Sequence, residues 1–205
     1  MFWDKVAWVY DIFANGINRK ANKALCAAVA QLILPGDEVL ECACGTGLLS
    51  GVMAKNCKRL IATDFSVNML KRAKKKYAKY GNITFEQADI LHLRYPDNRF
   101  DTVVAANVIH LLDDPYQALR ELDRVCKPGG RIIIPTYMNG TDKGTTNSVS
   151  GAIGKAGANF KREFTLDSYK VFFADAGYTD AHYTFCPGRI PCAVAVLRKQ
   201  HSKYE

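Results

Sequence analysis

The stretch Val39-Leu40-Glu41-Cys42-Ala43-Cys44-Gly45-Thr46-Gly47 constrains this chain more than any other. A short apolar run ends in a carboxylate and breaks into a glycine-bearing turn. Leu48-Leu49-Ser50 then resumes as a helix. This order predicts a strand, a turn and a helix that together cradle a nucleotide. Glycines let the backbone curve tightly and approach a ligand. The acid before the turn would repel a diphosphate, so it points to a cationic or amine-bearing ligand.

Seventeen residues beyond Gly47, a second apolar run, Leu60-Ile61-Ala62-Thr63, ends in Asp64. An acid at about that spacing can accept both hydroxyls of a ribose. Asp64 can equally cap the next helix, a role for which Ser66 is as good a candidate. Further along come Gln87-Ala88-Asp89-Ile90, Phe100-Asp101-Thr102-Val103-Val104 and Lys127-Pro128-Gly129-Gly130.

Apolar periodicity places helices over 18–34, 48–55, 67–79, 115–126 and 165–176. Strands are expected over 38–41, 59–63, 83–87, 100–105, 131–135, 178–185 and 192–197. Alternation of the two implies a parallel sheet covered on both faces. Pro128-Gly129-Gly130 reads as a turn into the fifth strand, and Thr165 and Gly177 as cap and stop of the last helix. The chain is expected to form one domain over 1–205. Within it, 1–34 is a helical N-terminal cap and 138–163, rich in glycine, a loop or lid on the substrate side.

These motifs, in this order, resemble the class I S-adenosylmethionine-dependent methyltransferases, over about residues 10–197. The resemblance is to the small-molecule type, near the quinone and arsenite methyltransferase-like group. It implies an α/β, three-layer Rossmann-like sandwich. The sheet would have seven mostly parallel strands with an antiparallel last strand. The implied cofactor is S-adenosyl-L-methionine.

The resemblance also implies site roles. Glu41 would engage the methionyl amino end, and the loop backbone at Ala43, Cys44, Gly45 and Gly47 would approach methionine and ribose. The family's first loop glycine is Ala43 in this chain, which requires that this position not need a positive φ. Asp64 would bind the ribose, with Phe65 against the adenine or in the core, and Met69 nearby. Asp89 and the Ile90 N–H would serve the adenine. Asn107 would touch the methionyl end, as would Tyr10 from a closing N-terminal segment. His110 is the candidate general base, with an ordinary pKa near 6.5, or else a structural histidine. Tyr137 is the candidate substrate contact.

Methyl transfer from a sulfonium is an in-line displacement whose leaving group is already cationic, so no acid is needed. The implied partner is a small-molecule acceptor bound by a monomer or homodimer. Ala106-Asn107-Val108-Ile109-His110 lacks the Asn-Pro-Pro-Tyr type of motif that amino-methylating nucleic-acid enzymes carry. Two other classes remain open. Gly45-x-Gly47-x-x-Ser50 half-fits a nicotinamide oxidoreductase. An RNA-methylating or RNA-binding role, or peripheral contact with lipid, would rest on Lys71, Arg72, Lys74, Lys75, Lys76 and Lys79, which crowd one predicted helix under a net charge of +8 and otherwise read as a solvated helix face.

The seven cysteines include no C-x-x-C pair, so neither a zinc knuckle nor a thioredoxin-like motif is indicated, and no metal is expected. The cysteines read as reduced packing residues. No apolar run reaches the ~18 residues of a membrane span. The N-terminus lacks a basic-then-apolar leader, so a cytoplasmic location is expected.

Overall fold

A computed structural model describes residues 18–139 and 161–199. Tyr10 and most of the two expected cover segments lie outside the described residues. The first helix, α1 (Arg19–Leu32), buries Ala21, Leu25 and Val29, spaced by four along one face. Strand β1 (Glu38–Cys42) leads through the glycine turn into α2 (Ser50–Ala54), then β2 (Arg59–Asp64), α3 (Val67–Lys76) and β3 (Ile83–Gln87). Next come β4 (Phe100–Ala105), a single 3-10 turn at Ile109–Leu111, α4 (Pro115–Val125), β5 (Cys126–Tyr137), α5 (Leu166–Asp175), β6 (His182–Cys186) and β7 (Cys192–Arg198).

Local chemistry marks the helix starts. Ser66 accepts from the Met69 N–H, Asp114 from the Gln117 N–H ahead of Pro115, and Thr165 shares a reciprocal capping box with Ser168. Gly177, at φ +93°, ends α5 as expected.

The strands form one seven-stranded sheet in the order β3-β2-β1-β4-β5-β7-β6. β1 to β5 run parallel, and only β7 is reversed, pairing antiparallel with both β5 and β6. The strand order changes direction between β1 and β4, and there the carboxyl ends of the strands diverge to leave a crevice.

Side chains on the central strands alternate between the two faces. Leu40, Ile61, Val103 and Ile132 pack with Leu122 of α4 and Phe173 of α5. Val39, Leu60, Val104 and Ile133 pack with Leu25 of α1, Met53 of α2 and Leu70 of α3. The sandwich therefore has three layers, with α1–α3 on one face and α4–α5 on the other.

Two expectations on secondary structure are corrected. The Lys127-Pro128-Gly129-Gly130 segment is not a turn before β5 but part of it. Gly129 N–H donates to Lys199 O at 3.0 Å and Lys199 N–H to Gly130 O at 3.2 Å, so the segment pairs while bulging against β4. The helix after the glycine loop is also short. It begins at Ser50 because Thr46 to Leu49 are still turning.

Candidate functional site

The carboxyl ends of β1, β2 and β4 and the segment after β3 enclose a cavity of about 250 Å³. Its wall includes Ala43 and Gly45 after β1, Asp64, Phe65 and Met69 around the start of α3, and Asp89 and Ile90 after β3. Asn107 and the apolar Val108, Leu111 and Leu112 close it from the β4 side. Eight of the residues marked in the sequence thus meet at one cleft: Ala43, Gly45, Asp64, Phe65, Met69, Asp89, Ile90 and Asn107. Sequence reasoning missed Ala88, Ala106, Val108, Leu111 and Leu112. Ala88 and Ala106 directly precede marked residues, a signal available in the chain. Leu111 and Leu112 reach the wall through the 3-10 turn, which no apolar periodicity announces.

Asp64 organises the loop. Its Oδ2 accepts from the Gly45 N–H at 2.7 Å, and its Oδ1 accepts from the Ser66 N–H at 2.8 Å. Ser66, not Asp64, supplies the side-chain cap of α3.

Ala43 corrects an expectation. It adopts φ +54°, the left-handed region, at a cost of roughly 1–2 kcal/mol for a residue with a Cβ. The neighbouring bonds Cys44 N–H to Thr63 O, at 2.8 Å, and Gly45 N–H to Asp64 hold it there. Asn107 is also left-handed, at φ +53°, and donates its N–H to Pro135 O at 2.8 Å.

The polar groups facing the cleft suit a ligand with hydroxyls and amines on an apolar body. Asp64 and Asp89 are acceptors, Phe65 is half exposed, and Ile90, Met69 and Leu112 supply apolar walls. Asn107 Oδ1 is buried with no hydrogen-bond partner among the described residues. A buried acceptor left unsatisfied costs about 1–3 kcal/mol.

The remaining marked residues do not line the cavity. Glu41 is fully buried beneath the loop, where its Oε2 accepts from Ser50 Oγ at 2.5 Å. Burial pushes its pKa up to about 8; the Ser50 bond opposes the rise, and the nearby Asp64 charge adds to it. Cys44 is buried, and desolvation drives its thiol pKa well up. Gly47, at φ +83°, faces Tyr77 at the end of α3. The Tyr77 hydroxyl donates to Gly47 O at 2.6 Å, and a Cβ on Gly47 or Gly51 would approach the tyrosine ring to 2.5 Å or 2.2 Å. These two glycines make room for a side chain rather than for a ligand.

His110 and Tyr137 lie side by side behind the wall, their ring centroids 6.4 Å apart. His110 is buried, and desolvation, reinforced by Arg162, lowers its pKa to about 4. The premise of an ordinary pKa near 6.5 therefore fails, and the ring is neutral at neutral pH. Among the described residues no cluster of three or more His, Cys, Asp or Glu could hold a metal ion.

Glu41 carries a pH-dependent prediction. Its folded-state pKa lies above its ordinary 4.5, so the folded chain holds this proton more tightly than the unfolded chain. The stability it contributes is complete below about pH 4 and is lost as pH rises to about 8. Glu41→Gln keeps an acceptor for Ser50 but cannot ionise. Scanning calorimetry across this window is expected to show the variant gaining melting temperature relative to the parent as pH rises. A difference constant with pH would remove Glu41 from the titration.

Residues 40–134 match the family described as a methyltransferase domain. A ubiquinone/menaquinone biosynthesis C-methyltransferase from Bdellovibrio bacteriovorus is 42% identical over 102 residues, which is 48% of this chain and 43% of that protein. A demethylmenaquinone methyltransferase from Paenarthrobacter aurescens is 29% identical over 210 residues, covering 94% of this chain and 80% of its own. The chain spans about half the length of the first curated relatives it matches, 43% and 55%. At the level of fold, the crystal structure of an S-adenosylmethionine-dependent methyltransferase from Thermotoga maritima superposes with a TM-score of 0.75. Identity is 19%, over 97% of this chain and 99% of that one.

Proposed function

We propose that this chain, which belongs to the class I S-adenosylmethionine-dependent methyltransferase family, binds S-adenosyl-L-methionine in the cleft and transfers its methyl group to a small-molecule acceptor. The observation that carries this reading is the convergence of Asp64 and Asp89, from two different strand ends, on one apolar cleft beside the Ala43–Gly45 turn.

When bound, the cofactor supplies an electrophilic methyl on a cationic sulfur. Asp64 accepts ribose hydroxyls while fixing Gly45. Asp89 accepts from an adenine amino group, and Phe65, Met69 and Ile90 exclude water from the ring. Asn107 Oδ1 accepts from the methionyl end. Glu41, beneath the loop, holds its proton up to about pH 8 and stands off the cleft wall, supporting the loop through Ser50. Among the described residues the cavity wall holds no histidine, lysine or tyrosine, which supports a positioning role for the chain, with the acceptor bringing its own nucleophile. His110 packs behind the wall and is not assigned a proton-transfer role.

The quinone-methylating relatives support an acceptor of that apolar, ring-bearing kind, which the Val108, Leu111 and Leu112 side of the cleft accommodates. A nicotinamide dinucleotide fits less well. Its diphosphate belongs at the helix start after the glycine turn, where Tyr77 covers Gly47 and Gly51 and the Glu41 carboxyl holds Ser50. A cytoplasmic setting suits seven cysteines that are all free thiols, and no described helix is long and apolar enough to cross a membrane.

The test is a thermal shift followed by turnover. S-adenosylhomocysteine at a hundred times its dissociation constant is expected to add about 2.7 kcal/mol, a rise of roughly 5–10 °C in a chain of this size. Formation of S-adenosylhomocysteine is then read against quinols, phenols, thiols and amines. A shift with NAD and none with S-adenosylhomocysteine would sink the reading.

A further inference from the structure

The charge of this chain is concentrated in one region. Between residues 51 and 85, nine Lys and Arg stand against a single acid, Asp64, so this stretch carries +8, the chain's whole formal excess. Lys71, Arg72, Lys74, Lys75, Lys76 and Lys79 are all exposed on α3 and just beyond it. Lys55 and Lys58, on the turn between α2 and β2, and Arg59, the first residue of β2, are also exposed. Asn82 joins the two groups, donating to Ala54 O at 2.8 Å and Cys57 O at 3.2 Å. The segment just beyond α3 is thus fastened to the adjoining turn that carries the second basic group. Among the described residues, Lys71, Lys74, Lys75, Lys76 and Lys79 form no ion pair.

Val67, Lys71, Lys74 and Lys75 follow at helical spacing along the outer side of α3, opposite Met69, Leu70 and Ala73, which are buried in the sandwich. The stripe begins with an apolar tip. Val67 is 45% exposed and Phe65, at the mouth of the cleft, 49% exposed. We propose that this face of α3 docks the protein on an anionic lipid surface, with the lysines over the headgroups and the Val67 tip against the acyl boundary.

Two observations favour lipid over RNA. Single-stranded nucleic acid is held by exposed aromatic platforms along a basic groove. Along the lysine stripe, Tyr77 instead seals the glycine loop and meets Tyr80 edge-on at 5.5 Å, both half-buried, while the exposed Phe65 ring stands ahead of α3 on the cleft wall. The surface is convex helix rather than groove, and its exposed apolar tip has a use at a bilayer and none against a phosphate backbone. The lysines need no special geometry, because a negative leaflet attracts each by mass of charge within a Debye length. Docking does not depend on methyl transfer, so its failure would leave the reading of the cleft untouched.

The test is co-sedimentation of the full chain with phosphatidylcholine vesicles, with and without phosphatidylglycerol, over a salt series. A twenty-nucleotide single-stranded RNA is titrated in parallel. Binding is expected only to the phosphatidylglycerol vesicles, and to weaken as salt rises. The triple substitution K71Q/K74Q/K75Q is expected to lower partitioning about a hundredfold, with the S-adenosylhomocysteine thermal shift unchanged. Val67→Asn should lower partitioning severalfold at high salt. Equal partitioning to both vesicle types, binding to anionic vesicles unaffected by the triple substitution, or tight RNA binding without vesicle binding would each overturn the proposal. Should the triple variant fail to fold, the parent's salt series on the two vesicle types decides alone.

Discussion

Asp37→Ala is expected to destabilise the fold by about 3–5 kcal/mol, the usual cost of removing one partner from a buried ion pair. Asp37 lies at the end of the sheet opposite the cleft. Its Oδ2 accepts from the Arg131 guanidinium at 2.6 Å, the Thr102 hydroxyl at 3.0 Å and the Leu34 N–H at 2.9 Å. Its backbone oxygen also accepts from the N–H groups of Lys58 and Arg59. One residue thus ties the end of α1 to β2, β4 and β5. Thr102 is fully buried and Arg131 largely so; alanine would leave the Thr102 hydroxyl proton without its acceptor and the Arg131 charge without its counter-ion, still donating to Thr102 Oγ1. Melting temperature should fall by roughly 10 °C or more. The paired substitution Asp37→Leu with Arg131→Met removes both charges together and should recover much of that loss. Below its melting temperature the single variant should bind S-adenosylhomocysteine as the parent does. A single-variant loss under about 1 kcal/mol by denaturant titration would show that water reaches and satisfies Arg131.

The strand-and-helix order was legible because each element carries its own local instruction. β1 and β2 are continuous apolar runs ended by acids, and α3, α4 and α5 begin at Ser66, Asp114 and Thr165. The acid at the end of β2, and the acid after β3, were legible for the same reason. Chemistry at a strand's carboxyl end is fixed by position in sequence once the topology is known. What stayed hidden depends on residues far apart in the chain. Gly47 reads as ligand-facing until Tyr77, thirty residues on, is seen over it. His110 reads as a titrating base until burial beside Arg162 is counted. Ala43 reads as a residue with ordinary φ, because nothing in the sequence reveals the bonds that hold its neighbours. Pro128-Gly129-Gly130 reads as a turn because its pairing with Lys199 is made across seventy residues.

Asp64→Ala is expected to weaken cofactor binding by about tenfold at the least, and by more than about a hundredfold if both ribose hydroxyls lose their acceptor. Each charge-assisted bond is worth roughly 1.5–3 kcal/mol. The structure adds a reason absent from the sequence argument. The same carboxylate holds the Gly45 N–H and the Ser66 N–H, so its loss also releases the turn at Ala43, whose left-handed backbone is maintained against strain. The turn should relax, and the cleft wall would then be re-formed at the ligand's expense. Asp64→Asn keeps one carbonyl oxygen but presents an amide donor to one of the two backbone N–H groups, so it should fall between parent and alanine rather than rescue binding. Calorimetric titration with S-adenosylhomocysteine, read beside the melting temperature of the ligand-free variants, separates the two contributions. A variant that is destabilised yet binds at full affinity would make Asp64 a loop anchor alone, and would move the ribose contact to another residue of the cleft. Lost affinity with little change in ligand-free stability would make the hydroxyl contacts dominant. The geometry favours both losses together, because a single carboxylate faces the cavity and fastens the turn that forms its wall.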